Sequence, residues 1–362
     1  MMNKLKVVVY AICKNEEKFV KRWVDSMKEA DEIIVLDTGS TDKTVQTLKE
    51  CGVTVYEQII KPWRFDTARN ESLAKVPEDA DICVCTDLDE VFVPGWRAVL
   101  EEYWLREQPT RARYDYNWRL DDNGMPRVSF WINKIHARKG YHWHHPVHEV
   151  LVSTIQEKEI EVPILLNHYP DDSKSRGSYL PLLEVSVVED PDDDRNLHYL
   201  GREYMYYQRW DDCIATLHKH LKCPNATWKD ERCASMRFMG RAYQAKEYLE
   251  EAEFWFQNAI HEAPYLREGY IELASLCILQ NDYERAYTLL HQALEIKEKS
   301  KSYINEEFAW NDYIYDLLSI AAFYTGRYQE SIECIQKAME INPKEARYQS
   351  NLDLVLPYSH SA

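Results

Sequence analysis

The spacing of apolar residues along the chain changes once. In the first half, strand-like and helix-like runs alternate. Lys6–Ile12 (KVVVYAI) is an unbroken β-branched run and predicts a buried strand. Across Asn15–Ala30, Phe19, Trp23 and Met27 recur every four residues, which predicts a helix. Asp31–Asp37 (DEIIVLD) predicts a second strand, ending in the turn residues Thr38, Gly39 and Ser40. Helical character resumes from Thr41 to Leu48, with Ser40 or Thr41 expected as its cap. Gly52–Tyr56 and Asp81–Thr86 predict a third and a fourth strand. Such alternation predicts βαβ units and a mostly parallel sheet, with ligands at the carboxyl ends of the strands.

From about residue 196 no strand is predicted and a repeat emerges. Gly201-Arg-Glu-Tyr204 recurs as Gly240-Arg-Ala-Tyr243, and Trp210 and Cys213 correspond to Leu249 and Ala252. Tyr283 with Ala286, then Tyr328 with Ser331, continue the series. Small residues mark one position (Gly201, Gly240, Ala274, Ser319), and Pro224, Pro264 and Pro343 close three of the copies. Helical repeats of this kind resemble a tetratricopeptide array of about four copies, with extra residues at 222–231 and 297–311. The domains expected are 1–175 and 196–362. A Pro-punctuated acidic junction over 176–195 separates them and carries a short helix at 178–189.

Composition narrows the class. With 45% hydrophobic and 29% charged residues the chain can bury a core and is not disordered. The net charge of −17 argues against nucleic acid as the main partner. The acidity is uneven: residues 1–180 hold 25 basic against 30 acidic residues, and 181–362 hold 19 against 31. The nearly balanced first half suits an anionic ligand. The apolar run Val7–Cys13 is too short to span a membrane. Lys14, Glu16 and Glu17 follow it without a small-residue cleavage site, so a cytoplasmic protein is expected. Nine scattered cysteines form no CxxC pair, and Cys83 and Cys85 read as small core residues.

Candidate chemistry gathers at the predicted strand ends. Asp87-Leu88-Asp89-Glu90 follows an apolar strand, where two carboxylates one residue apart can hold a hard divalent cation. Asp37 ends the second strand in DTGSTDKT, where a carboxylate can accept hydrogen bonds from a base or ribose. Ala11-Ile-Cys13-Lys-Asn15-Glu16-Glu17 closes the first strand, with backbone groups placed to line a nucleotide. In Trp63-Arg-Phe-Asp-Thr-Ala-Arg-Asn70, Asp66 is the expected helix cap, and the planar fork of Arg69 suits a diphosphate.

In this order, AICKNEE, DTGSTDKT, FDTARN and DLDE resemble the family 2 glycosyltransferases of the GT-A fold, strongly over residues 5–100 and loosely over 100–170. The resemblance implies an α/β, Rossmann-like nucleotide-sugar domain followed by all-α tetratricopeptide-like repeats. It implies inverting transfer from a nucleoside diphosphate donor, a UDP-sugar foremost, with Mg²⁺ or Mn²⁺ as cofactor. By position, Ala11, Cys13, Asn15, Glu16, Asp37, Arg69, Asp87 and Leu88 would line the donor. Asp87 and Asp89 would hold the metal, Asp87 matching the first acid of the DxD pattern. Five histidines lie in 136–148: His136, His142, His144, His145 and His148. They form no HExxH motif, which disfavours a zincin. Relatives carry a similar xVHE element, which suggests His148 as a third metal ligand. Glu149, with Glu90 or Asp115 as alternatives, is the candidate base. Trp118, Trp143 and His145 are expected on the acceptor side. The acceptor implied is a peptide or protein side chain, as in bacterial enzymes that glycosylate peptides on Cys, Ser or Thr, with lipopolysaccharide or another glycan as the alternative. The repeats would receive that acceptor or form a homodimer. Two other classes compete: a non-catalytic repeat scaffold, and a sugar-nucleotide pyrophosphorylase. The latter needs an N-terminal glycine-rich loop, whereas the first glycine here is Gly39.

Overall fold

A computed structural model describes residues 4–121, 123–171 and 177–360. Residue 176 of the expected junction lies outside these. Two compact units divide the chain, one up to Ser186 and one from Val187 onward. The boundary falls inside the helix α5 (Tyr179–Glu189).

The first unit is built on an eight-stranded sheet. Its strands in chain order are β1 (Val7–Cys13), β2 (Glu32–Asp37), β3 (Thr54–Glu57), β4 (Ile82–Cys85), β5 (Glu90–Phe92), β6 (Arg111–Leu120), β7 (Pro126–Ala137) and, after a separate hairpin of β8 (Tyr141–His144) and β9 (Val150–Ser153), β10 (Glu159–His168). The order across the sheet is β3-β2-β1-β4-β7-β6-β10-β5. The half over β3 to β4 is parallel. Beyond β4 the sheet is mixed, because β7 runs antiparallel to both β4 and β6, and β5 runs antiparallel to β10. The expected parallel sheet therefore stops where the long β6–β7 hairpin takes over from βαβ connections. Since β6 and β10 are parallel to each other, β1, β2, β4, β6 and β10 all end on the same edge.

Strand β1 is apolar throughout because both faces are covered. Val7, Val9 and Ala11 pack with Phe19, Val20 and Trp23 of α1 (Glu17–Met27), while Val8 and Tyr10 pack with Ile34, Cys83, Cys85 and Trp143. Three further helices follow in this unit: α2 (Thr44–Glu50), α3 (Phe65–Ala74) and α4 (Trp96–Glu107). Two expected caps differ. Lys43 takes the cap position of α2, where Asp42 accepts the Thr44 N–H, so neither Ser40 nor Thr41 caps it. Arg64 takes the cap position of α3, and Asp66 lies inside the first turn, bound to the Arg64 guanidinium.

The second unit stacks four helix pairs: α6 (Asp194–Tyr206) with α7 (Trp210–Lys222), α8 (Lys229–Ala245) with α9 (Leu249–Glu262), α10 (Arg267–Leu279) with α11 (Tyr283–Glu295), and α12 (Tyr313–Tyr324) with α13 (Tyr328–Ile341). Helix α14 (Arg347–Val355) follows. Trp210, Leu249, Tyr283 and Tyr328, equivalent in the sequence repeat, each open the second helix of a pair. The turns repeat as well, with Gln208, Glu247, Asn281 and Gly326 all at positive φ. The small position lets paired helices approach: a Cβ at Gly201 would lie 2.3 Å from Leu217, and one at Gly240 would lie 2.4 Å from Phe256. Among the described residues no helix is long and apolar enough to cross a membrane.

Candidate active site

The loops after β1 and β2 are stitched together. Asn15, at φ 56°, donates its N–H to Ser40 Oγ and accepts the Thr41 N–H at Oδ1, both at 2.8 Å. Glu16 donates its N–H to Thr44 Oγ1. Asp37 is only 2% exposed. One carboxylate oxygen accepts the Gly39 and Ser40 N–H groups, and the other accepts from the Ser40 hydroxyl and the Cys13 thiol. Asp37 thus shapes the turn that carries the loop. Ala11 and Cys13 are buried, and the Ala11 carbonyl accepts from Ser72 Oγ.

A charge cluster fills the end of β4. Arg69 reaches from α3 to the Asp87 carboxylate at 2.9 Å, to Glu149 and to Cys85 Sγ. Lys134 of β7 places its ammonium 3.1 Å from both Asp87 and Glu90. Glu90 also accepts from the Tyr116 hydroxyl and the Asp87 N–H. Burial opposes ionisation of Asp87, but Arg69 and Lys134 outweigh it and hold the carboxyl well below its usual range. For Glu90 burial wins, and its carboxyl is raised.

Asp89 stands apart from both cations. Its partner is the His168 imidazole at the end of β10, with Nε2 at 3.4 Å. That ring stacks on Trp118 at 4.4 Å between centroids and meets the Trp118 carbonyl through Nδ1. Burial disfavours the imidazolium, yet Asp89 and the carbonyl raise the His168 pKa overall. The cluster therefore sets four carboxylates (Asp87, Asp89, Glu90, Glu149) against two permanent cations, leaving two formal negative charges at an accessible strand edge. That excess, with oxygen and imidazole donors together on Asp89 and His168, fits a divalent cation.

Residues 8–153 match the family model for glycosyl transferase family 2, and residues 313–345 match that for the tetratricopeptide repeat. The chain joins a family 2 glycosyltransferase domain to tetratricopeptide repeats. Among curated proteins it is similar to the lipopolysaccharide core biosynthesis glycosyltransferase LpsC of Rhizobium meliloti (strain 1021), 27% identical over 158 residues, covering 38% of this chain and 57% of that protein. An uncharacterized glycosyltransferase of Rickettsia typhi is 44% identical over 59 residues, 16% of this chain and 19% of the other. The chain thus spans little more than half the length of the first relative. Among solved structures, MamA superposes with a TM-score of 0.38 at 18% identity, covering 50% of this chain and 99% of that one.

Within the glycosyltransferase domain the structure sorts the expected residues. Asp87, Arg69, Glu149 and Glu90 meet in one cluster, with Leu88 buried between the two aspartates. Asp89 and Trp118 meet at His168. Trp143 departs from the expected acceptor face: it is 3% exposed, its indole N–H bonds to Tyr10, and Arg69 lies over its ring. His145 is likewise buried, its ring against His144. The His148 ring lies against Tyr179, so the imidazole seen beside Asp89 is His168 instead. His136 is a core residue, bonded to the Tyr10 hydroxyl.

Lys134, Tyr116 and His168 escaped the sequence reading. His168 had a usable signal, since a polar residue closing the apolar run Ile164–Leu166 sits at a strand's carboxyl end just as Asp87 does. Lys134 had none, because its role depends on β7 pairing with β4, which no local pattern announces.

Proposed function

We propose that this chain is an inverting glycosyltransferase that moves a sugar from a UDP-sugar to a protein side chain with the help of Mg²⁺ or Mn²⁺. The observation that carries the reading is the pairing of Asp89 with His168 beside a cluster whose other carboxylates are already matched to Arg69 and Lys134. Asp89 and His168 would hold the cation, and Asp87, fixed by Arg69 and Lys134, would meet the donor next to it. When bound, the cation neutralises charge developing on the leaving diphosphate. The backbone of Ala11, Cys13, Asn15 and Glu16, with the turn shaped by Asp37, would line the nucleoside.

Glu90 and Glu149 are then positioning residues rather than bases. Glu90 is buried and occupied by Tyr116, Lys134 and a backbone N–H, and Glu149 is held by the Arg69 guanidinium. Trp118, 47% exposed at the strand edge, would receive the acceptor.

The repeat domain supports a protein acceptor, since such arrays offer extended protein-binding surfaces; the same surface could pair two copies of the chain. Likeness to LpsC supports a second reading, a lipopolysaccharide-type glycan acceptor. The test is transfer of labelled sugar from a panel of UDP-sugars, with and without Mn²⁺, to cell extract separated into protein and glycan fractions. Label in protein supports the first reading, and label in glycan the second. Asp89→Asn is expected to lower either by about 10²- to 10³-fold. Metal-independent transfer, or full activity in that variant, would refute the assignment of the cation to Asp89.

A further inference from the structure

The repeat domain contains a set of side chains that neither the glycosyltransferase reading nor the repeat pattern uses. Asp194 opens α6, His220 lies in the last turn of α7, and Glu231 lies in the first turn of α8. One ligand atom from each lies within 4.8 Å of the others, and this is the only such trio of His, Cys, Asp or Glu among the described residues. His220 is 0% exposed, yet neither of its ring nitrogens makes a hydrogen bond. Its Nε2 approaches Glu231 Oε1 at 3.3 Å without hydrogen-bond alignment. Burying an imidazole with both nitrogens unsatisfied costs free energy.

A metal ion bound through one of those nitrogens removes part of that cost. Donor atoms about 2.0–2.1 Å from a tetrahedral zinc lie about 3.3 Å from one another, which is the spacing seen between His220 and Glu231. Glu231 is oriented from behind by the Tyr303 hydroxyl, as outer partners orient metal-binding carboxylates. Asp194 is only half-buried and leaves a way in. His198, one turn after Asp194 on α6, lines the same place: its ring centroid is 5.6 Å from that of His220, and its Nε2 also lacks a hydrogen bond.

We propose that Asp194, His220 and Glu231 form a structural site for a borderline divalent cation, zinc foremost, which ties the first helix pair of the repeat domain to the second. One imidazole with two carboxylates favours zinc over the harder magnesium and calcium. The site is separate from the glycosyltransferase cluster and takes no part in sugar transfer.

The test uses the full chain, stripped of metal with a chelator and titrated with Co²⁺ and Zn²⁺. Visible Co²⁺ bands report an ordered nitrogen-oxygen site, and elemental analysis after gel filtration gives the zinc stoichiometry. Four chains are compared: wild type, His220→Gln, Asp194→Asn and Asp89→Asn. Asp194 is at the rim, so its variant keeps the fold even if His220→Gln does not, and circular dichroism checks both. The proposal expects the intense bands of tetrahedral Co²⁺, which a water-rich site on Asp89 and His168 does not give, in wild type and Asp89→Asn, lost in His220→Gln and weakened at least tenfold in affinity in Asp194→Asn. Zinc at a hundredfold excess over its Kd is expected to raise the melting temperature of the repeat domain by about 5 °C. Bands that vanish in Asp89→Asn and persist in folded His220→Gln would assign the ion to the glycosyltransferase domain and overturn the proposal. Absence of stoichiometric binding in wild type would overturn it equally. Either result leaves the sugar-transfer reading untouched, because that rests on Asp89.

Discussion

Arg69 in the glycosyltransferase domain and Arg237 in the repeat domain are both buried and each binds two carboxylates, yet their surroundings differ in net charge. Arg237 shares Glu272 and Glu306 with Arg241, two cations against two anions. That network pins the long connection before α12, through Glu306, onto α8 and α10; its ion-paired charges cancel, and the further carboxyl beside Arg237, that of Glu268, is raised by burial. Arg69 shares only Asp87 with Lys134; Glu149 lies on Arg69, Glu90 on Lys134, and a fourth carboxylate, Asp89, stands apart from both cations and faces an imidazole at a strand edge. Balanced charge in a helical stack is architecture. Unbalanced charge where five strands end supports the cation site proposed there.

This contrast predicts where substitutions act. The largest effect on stability belongs to Arg237→Met, which leaves Glu272 and Glu306 short of a partner. It should destabilise the repeat domain by about 3 kcal/mol in urea unfolding, while donor hydrolysis by the folded protein persists. Loss of hydrolysis without loss of stability would break the division between the two networks. Gly240→Ala comes next. Its new methyl would meet Phe256, and overpacking there should cost about 1–3 kcal/mol in the repeat transition alone.

The third prediction concerns pH in the other domain. Burial holds the His136 imidazole down at about 3, against about 6.5 when unfolded. The unfolded chain therefore takes up the proton first. Stability from this group is intact above about pH 6.5 and is lost at about 1.4 kcal/mol per pH unit as the pH falls from there towards 3. His136→Gln, which cannot titrate, should flatten that slope in urea unfolding of the glycosyltransferase transition between pH 7 and 5. An unchanged slope would mean that His136 is not the group responsible. The smallest effect is expected of Trp118→Ala, which removes an exposed ring stacked on His168. It should raise the acceptor KM about fivefold, with little change in donor binding. A larger loss of donor binding would place Trp118 on the nucleotide side instead.

How much of this was legible in the sequence follows from the range of the interactions. Strands β1 to β4 and the helix pairs were readable because their signals are local: apolar runs, fourfold spacing, and a small residue, a turn and an aromatic recurring together. The places of Asp37, Asp87 and Asp89 at the ends of β2 and β4 were readable because each follows a short apolar run. The mixed half of the sheet was not: β6 alternates polar residues (Arg111, Arg113, Asp115, Asn117, Arg119) with apolar ones (Ala112, Tyr114, Tyr116, Trp118, Leu120), a pattern that marks a strand but does not name its partner. Trp143 and His145 were misplaced for a related reason. The segment YHWHHPVHE looks polar and exposed, but the β8–β9 hairpin folds its alternate residues inward, and Asn70 clamps the Trp143 backbone from α3. Lys134 and His168 reach the site through long-range pairing, which spacing along the chain does not record.

The most direct test is calorimetric titration of UDP into the full chain, with and without Mn²⁺, on wild type and Asp89→Asn. The account predicts that Mn²⁺ strengthens UDP binding in wild type and has no effect in Asp89→Asn, while both proteins melt at the same temperature. UDP binding that ignores Mn²⁺, or the same Mn²⁺ dependence in the variant, would show that Arg69 and Lys134 suffice for the diphosphate and that the unmatched charge at the strand ends is not a cation site.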